Sequence, residues 1–236
     1  MAIFTLKLIE RKPIAFQTMM FTFEKPEALT FKPGQYGGFT LMGRSDIDPS
    51  NCTRRFSILS APDDQTLSIA TRMQPSAYKE ALNHLAIGQT IKFAGPTGNF
   101  TLHDDPQIPA VFIAGGIGIV PFYAMIKHAI NHQTPPLTLL FGNRSLDEAP
   151  FLNELSHWQK IHRHFQLYPI LEQVSPDWQG ATGLITDAFI RAYVPDIFSP
   201  IYYICGSPAM VTIIQERLAE LEIDEDRIKT EDFPGY

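Results

Sequence analysis

The sequence predicts a two-domain chain: an N-terminal antiparallel β-barrel over residues 1–104, followed by a C-terminal α/β domain with a parallel sheet over residues 105–236. Three observations carry this. The first hundred residues alternate short β-rich runs with turns containing Pro, Gly and Asp. After "LHDDPQIP" the rhythm changes to continuous apolar runs, each followed by a helical segment. The composition, 44% hydrophobic and 19% charged with 17 Phe, is that of packed cores and excludes a disordered chain.

The elements follow in order. "TMMFTFEK" is a strand, and "KPGQY" supplies a Pro-Gly turn into "GGFTL". "RRFSILSAP" and "TLSIATR" are strands separated by the turn-rich "PDDQ". "SAYKEALNHL" is the helix of this half, with Ser76 as its N-cap, and "GQTIKFAGPTGNF" returns to strand. In the second half "AVFIAGG", "LTLLFGN", "FQLYPIL" and "IYYICGSP" are four buried strands. Helices over "VPFYAMIKHAI", "APFLNELSHWQKI", "TDAFIRAYV" and "AMVTIIQERLAEL" cover them.

Several function classes are excluded. A net charge of -6 with no Lys/Arg-dense block argues against a nucleic-acid binder. Two distant cysteines, Cys52 and Cys205, build neither a disulfide framework nor a cysteine-ligated cluster. His128 and His132 are four apart on a helix, but two imidazoles with no third ligand in sight make a poor metal site, and none is expected. "HRH" at 162–164 reads as a solvated connection, and there is no Gly-x-Ser-x-Gly nucleophile elbow. No signal-peptide pattern opens the chain and no apolar run approaches the roughly 20 residues of a membrane span. The expectation is a soluble, cytoplasmic monomer.

"FIAGGIGIVPF" places Gly115, Gly116 and Gly118 between an apolar strand and a helix carrying Pro121 in its first turn. Glycine lets the backbone approach a ligand, and a helix N-terminus offers free N–H groups to a pyrophosphate. Pro121 stands where the common dinucleotide fingerprint has its third glycine, and "GNR" lacks the usual acidic residue. Alone, the loop fits a nucleotide site or a tight structural turn. "RRFSILS" puts Arg54 and Phe56 on one strand face with Ser57 opposite or at the strand end. An Arg, an aromatic ring and a hydroxyl suit a ligand with a charge, a flat ring and a polar ring atom; a surface Arg and a core Phe fit equally.

Together these motifs resemble the ferredoxin–NADP reductase superfamily. "RRFS" resembles its Arg-x-(Tyr/Phe)-Ser motif, "KPGQY" stands upstream of it, and "GQTIKFAGPTGNF" is similar to its barrel-closing segment. "AGGIGIVPF" resembles its Gly-Gly-x-Gly-x-x-Pro loop, "YYICGSPAM" its Cys-Gly-x-Pro-x-Met segment and "EDFPGY" its aromatic end. The order matches over nearly the whole chain.

The resemblance implies a Greek-key barrel that binds FAD and an α/β domain that binds NADH or NADPH. Arg54 would pair with the FAD pyrophosphate, Phe56 would lie along the isoalloxazine and Ser57 would hydrogen-bond near N5. Ser76, Tyr78 and Lys79 are candidates for the pyrophosphate, with Thr71 and Arg72 lining the same pocket. Gly116, Gly118 and Pro121 would form the coenzyme pyrophosphate turn. Cys205 would sit near the nicotinamide, walled by Gly206, Pro208 and Met210; otherwise it is a small buried hydrophobe. Arg144 could meet a 2′-phosphate, whereas "ILEQVSPDW" lacks the Ser-Arg pair of NADP-specific members, so the balance leans to NADH or dual use. Glu231 is a candidate proton relay or stabiliser of a charged flavin, or else a solvated charge. Phe233 or Tyr236 would stack on the flavin and gate it. The implied activity is hydride transfer from NAD(P)H to FAD, with electrons passed to a small redox protein such as a ferredoxin, a flavodoxin or an oxygenase component. A free-flavin reductase or a non-catalytic flavin-binding module is the alternative.

Overall fold

A computed structural model describes residues 2–43, 47–132 and 134–232. Its first strand lies outside the elements expected from sequence. β1 (Ile3–Ala15) runs for 13 residues, yet only Leu6 and Leu8 are fully buried, and beyond them it is mostly exposed. The alternation that marks a strand is therefore confined to its first half.

β2 (Thr18–Glu24), β3 (Tyr36–Leu41), β4 (Thr53–Ser57), β5 (Thr66–Arg72), α1 (Ala77–Asn83) and β6 (Thr90–Thr97) complete the first half. The six strands form an antiparallel sheet in the order β4-β3-β6-β1-β2-β5. The sheet curls so that its two edges meet: the Leu59 N–H, just past β4, donates to the Ser68 carbonyl on β5 at 2.8 Å. Phe21, Phe23, Phe39 and Phe93 fill the interior, with Leu6, Ile69 and Ile91. Tyr78 plugs it from α1. The Phe-rich composition is thus spent on a core that a small barrel needs to close.

The second half comprises β7 (Ala110–Gly115), α2 (Ile119–Ala129), β8 (Leu137–Asn143), α3 (Leu152–Ile161), β9 (Phe165–Leu171), β10 (Ala181–Thr182), α4 (Asp187–Tyr193), β11 (Ile201–Gly206), α5 (Pro208–Glu220) and β12 (Ile228–Asp232). All strands pair in parallel in the order β10-β9-β8-β7-β11-β12. Six strands stand where four were expected; the extra two are edges, one of two residues and one with the polar sequence "IKTED". Alternation divides each central strand between two apolar layers. Phe112, Ala114, Tyr203 and Cys205 face the layer under α2 and α3, while Val111, Ile113, Tyr202 and Ile204 face the layer under α4 and α5. No helix among the described residues is long and apolar enough to cross a membrane.

The chain steps outward from β7 to β10, then returns to β11 on the other side of β7. This reversal opens a crevice beyond the carboxyl ends of β7 and β11, where open α/β sheets bind ligands. The barrel lies against this sheet: Leu59, Ala70 and Phe100 join the layer under α2. The seam is stitched by an ion pair between Arg72 and Glu148 and by Lys127 to Asp64 at 2.9 Å.

Candidate functional site at the domain seam

On the barrel side, Ser57 ends β4, 4% exposed, and its Oγ has no hydrogen-bond partner. Phe56 and Arg54 lie on the other face, as alternation requires. The Phe56 ring packs 5.8 Å from Phe39 and 6.0 Å from Tyr78. The Arg54 guanidinium sits 5.7 Å from the Tyr78 ring centroid and donates to the Thr53 carbonyl at 2.9 Å and to Asn51 Oδ1 at 3.1 Å. Tyr78 itself is 1% exposed and its hydroxyl donates to the Phe39 carbonyl at 2.9 Å. Its side chain belongs to the core beneath Arg54 and Phe56.

Ser76 caps α1, accepting the Lys79 N–H at 3.3 Å. The Lys79 ammonium is buried and donates to the Arg72 carbonyl at 2.8 Å; burial, then the nearby Arg54 charge, holds its pKa below the usual lysine value. Thr71 is buried on β5, and Arg72 reaches across the seam to Glu148.

On the sheet side, Gly115–Gly118 form the turn from β7 into α2. Gly118 is obligatory by space: a Cβ there would collide with the Cys205 carbonyl. Gly116 is demanded by conformation instead, with φ +52° and open space around it. Pro121 is buried inside the first turn of α2, where a missing N–H costs nothing. Ser207 caps α5, Pro208 is its first residue, and Met210 lies against Gly115 and Gly206, so both glycines make room for its sulfur.

These elements bound a crevice of about 390 Å³ lined by Gly115, Gly116, Asn143, Arg144, Glu172 and Met210. Two of these are absent from the sequence reading. Asn143 is 5% exposed, and neither its amide nitrogen nor its amide oxygen has a partner. Glu172 follows β9. The signal for both was position, since each closes a strand at the carboxyl edge of the sheet.

The two sides meet at Glu231. β12 places it directly across from Cys205 in the parallel register. Burial, then the charge of Asp232, pushes its carboxyl up from 4.5 to about 8, although Ser57 lies near enough to favour the ionised form. That contact is not a well-formed hydrogen bond, because Ser57 Oγ and Glu231 Oε2 both remain unpartnered. Burial, with Glu231 and Asp232 adding to it, pushes the Cys205 thiol well up, so it is no thiolate nucleophile. Phe233 and Tyr236 lie outside the described residues.

Comparison with known proteins decides what this arrangement belongs to. The oxidoreductase FAD-binding domain family matches residues 5–102, and the oxidoreductase NAD-binding domain family matches residues 112–216. The chain belongs to the ferredoxin–NADP reductase superfamily. A ferredoxin–NADP reductase B of Sorangium cellulosum is 26% identical over 229 residues, covering 90% of each chain. The reductase component of a Pseudomonas phenol 2-monooxygenase is 29% identical over 213 residues, 86% of this chain and 59% of that protein. The crystal structure of an Amycolatopsis cytochrome P450 reductase superposes with a TM-score of 0.84 at 27% identity, covering 98% of this chain and 70% of the other. This superfamily member is an NAD(P)H-dependent flavoprotein reductase.

The residues present fit both cofactors. Unpartnered Ser57 and Glu231 face one another at the seam, where a flavin ring would meet a nicotinamide. Unpartnered Asn143, with Gly116 opening onto free space, lines the coenzyme crevice.

Proposed function

We propose that this reductase takes hydride from NADH onto FAD and passes electrons to a separate small redox protein or oxygenase component. The observation that carries it is the meeting of Ser57 from the barrel with Glu231, which β12 registers against Cys205 in the sheet. Bound FAD would supply the conversion between two-electron hydride and one-electron chemistry. The remaining work belongs to the chain.

Arg54 would hold the FAD pyrophosphate, supported from below by Tyr78. Ser76, Lys79, Thr71 and Arg72 would complete that side, and Phe56 would lie along the ring. Ser57 would donate its free hydroxyl at the ring's reactive edge. Gly116, Gly118 and Pro121 would shape the coenzyme pyrophosphate turn, and Asn143 would satisfy its orphaned amide on the coenzyme. Cys205, uncharged and walled by Gly206, Pro208 and Met210, would align the nicotinamide without reacting. Glu231, with a carboxyl near 8, would hold or yield a proton beside Ser57. Arg144 and Glu172 share the crevice rim; a carboxylate beside the arginine opposes a 2′-phosphate and favours NADH.

The test is an anaerobic titration of the purified yellow protein, first with NADH and then with NADPH. Bleaching by NADH at the lower concentration supports the reading. Colourless protein that oxidises NADH only when flavin is added would make it a free-flavin reductase. Bound flavin that stays oxidised with both coenzymes would refute catalysis.

A further inference from the structure

On the face of the seam formed by the β4–β5 turn and the end of α2, the fold assembles a group that the cofactor site does not use. Asp63 stands in the turn between β4 and β5, and His128 and His132 stand at the end of α2. One side-chain ligand atom from each lies within 4.8 Å of the others. His128 Nδ1 is 3.3 Å and His132 Nε2 is 3.6 Å from Asp63 Oδ2. The third ligand that the histidine pair lacked in sequence is supplied by the other half of the molecule.

We propose that Asp63, His128 and His132 form a divalent transition-metal site, of the Zn²⁺ class, that clasps the barrel to the nucleotide-binding half. Three details favour a metal over a simple ion pair. The first is spacing: with metal–nitrogen and metal–oxygen bonds of about 2.0–2.1 Å, the edge of a tetrahedral site is about 3.3 Å, close to both separations. The second is tautomer. His132 Nδ1 is 2.7 Å from the His128 carbonyl, which only accepts, so Nδ1 carries a proton and, in the neutral ring, Nε2 is left as the lone-pair atom facing Asp63. A backbone carbonyl on the far nitrogen is the support that metal-bound imidazoles take.

The third is an orphan. His128 Nδ1 is buried and makes no hydrogen bond, although the carboxylate is near it. The site is also held in place. The turn bearing Asp63 is fastened by Lys25 to the carbonyls of Pro62 and Asp64, and by Lys127 to Asp64 at 2.9 Å. The carbonyl end of α2 adds negative potential toward a cation. Three protein ligands leave a position for water, as Zn²⁺ accepts.

The untagged, flavin-loaded protein, stripped with chelator and dialysed, is titrated with Zn²⁺ by calorimetry. Co²⁺ is then added as a spectroscopic probe. Expected are one ion per chain, a Zn²⁺-dependent rise in unfolding temperature, and the visible absorption of four-coordinate Co²⁺. Asp63→Asn, His128→Ala and His132→Ala should each weaken Zn²⁺ binding by about 100-fold or more, since loss of a direct ligand exceeds the 10–100-fold cost of losing its support. His84→Ala, at the C-cap of α1 and outside the three-residue group, should bind as the parent does. Stoichiometry and affinity unchanged in the three variants, or no saturable binding by the parent, would overturn the site. If a variant fails to fold, the parent's Co²⁺ spectrum decides: an octahedral, aquo-like spectrum overturns it.

Discussion

The two halves that form the seam meet their ligands in different states of readiness. In the barrel, the polar groups expected to face FAD are mostly engaged already: Arg54 with Asn51 and Thr53, Ser76 with the α1 N-terminus, Lys79 with Arg72. In the parallel sheet, Asn143 and Glu231 keep buried polar atoms without partners. A group held by its neighbours loses little on binding, because its rotamer is already chosen. A buried orphan costs stability until a ligand pairs with it. Most of the barrel side is thus set before binding, and the sheet side keeps buried groups that a ligand would pair.

Substitutions can break or sharpen this contrast. The largest effect is expected at the shared wall. Gly118→Val would drive a side chain into the Cys205 carbonyl, costing about 1–3 kcal/mol or more and abolishing coenzyme binding. Gly116→Ala, in open space but at positive φ, should cost only about 1–2 kcal/mol. Thermal unfolding and coenzyme titration of the pair separate a steric from a conformational need.

Next comes Arg54→Ala, which should weaken FAD retention by about 1.5–3 kcal/mol, the range for a hydrogen bond to a charged group. Equilibrium dialysis of flavin measures it, and unchanged occupancy would remove Arg54 from the site. Asn143→Leu should show opposite signs in two measurements. The protein without coenzyme should gain about 1 kcal/mol or more, since two buried orphans disappear, while the NADH dissociation constant rises. If both worsen, Asn143 is paired in the free enzyme and the contrast fails.

The smallest effect at acidic pH, though it grows and is informative across pH, is Glu231→Gln. The folded carboxyl titrates at about 8 against an ordinary 4.5. Between these values the unfolded chain has released a proton that the folded chain retains. Stability from this group is therefore full below about 4.5 and is lost as pH rises through about 8. Glu231→Gln should flatten the fall in unfolding temperature across that window. An unchanged slope would place the carboxyl in water.

Much of the fold was legible because its signals are local. "KPGQY", "PDDQ" and "SAYKEALNHL" announce a turn, a turn and a capped helix by themselves, and the apolar runs of β7, β8, β9 and β11 need only their neighbours in sequence. Gly118 and Pro121 carried enough geometry to mark a tight turn into a helix, which by itself fits a nucleotide site or a structural turn. Ser57 and Arg54 had their faces set by the period of a strand. β1 alternates only over Phe4–Leu8 and is mostly exposed beyond, and β12 is a polar edge strand, so neither carries the sustained alternation that burial of a full face imposes. "IKTED" reads as solvent until β11 pairs with it.

What tertiary structure alone decided are the encounters across long stretches of chain. Tyr78 lies in the barrel core with its hydroxyl on the Phe39 carbonyl, an encounter across 39 residues of chain. Glu231 became a buried acid because β12 registers it against Cys205. Asp63 met His128 and His132 because the barrel docks its turn onto α2. Sequence by itself determined the elements, the order of the two halves and the motifs that name the family, since each depends on residues within a turn or two. Which polar groups are left unpartnered at the seam depends on how two separately folded cores pack together, and no local period encodes that.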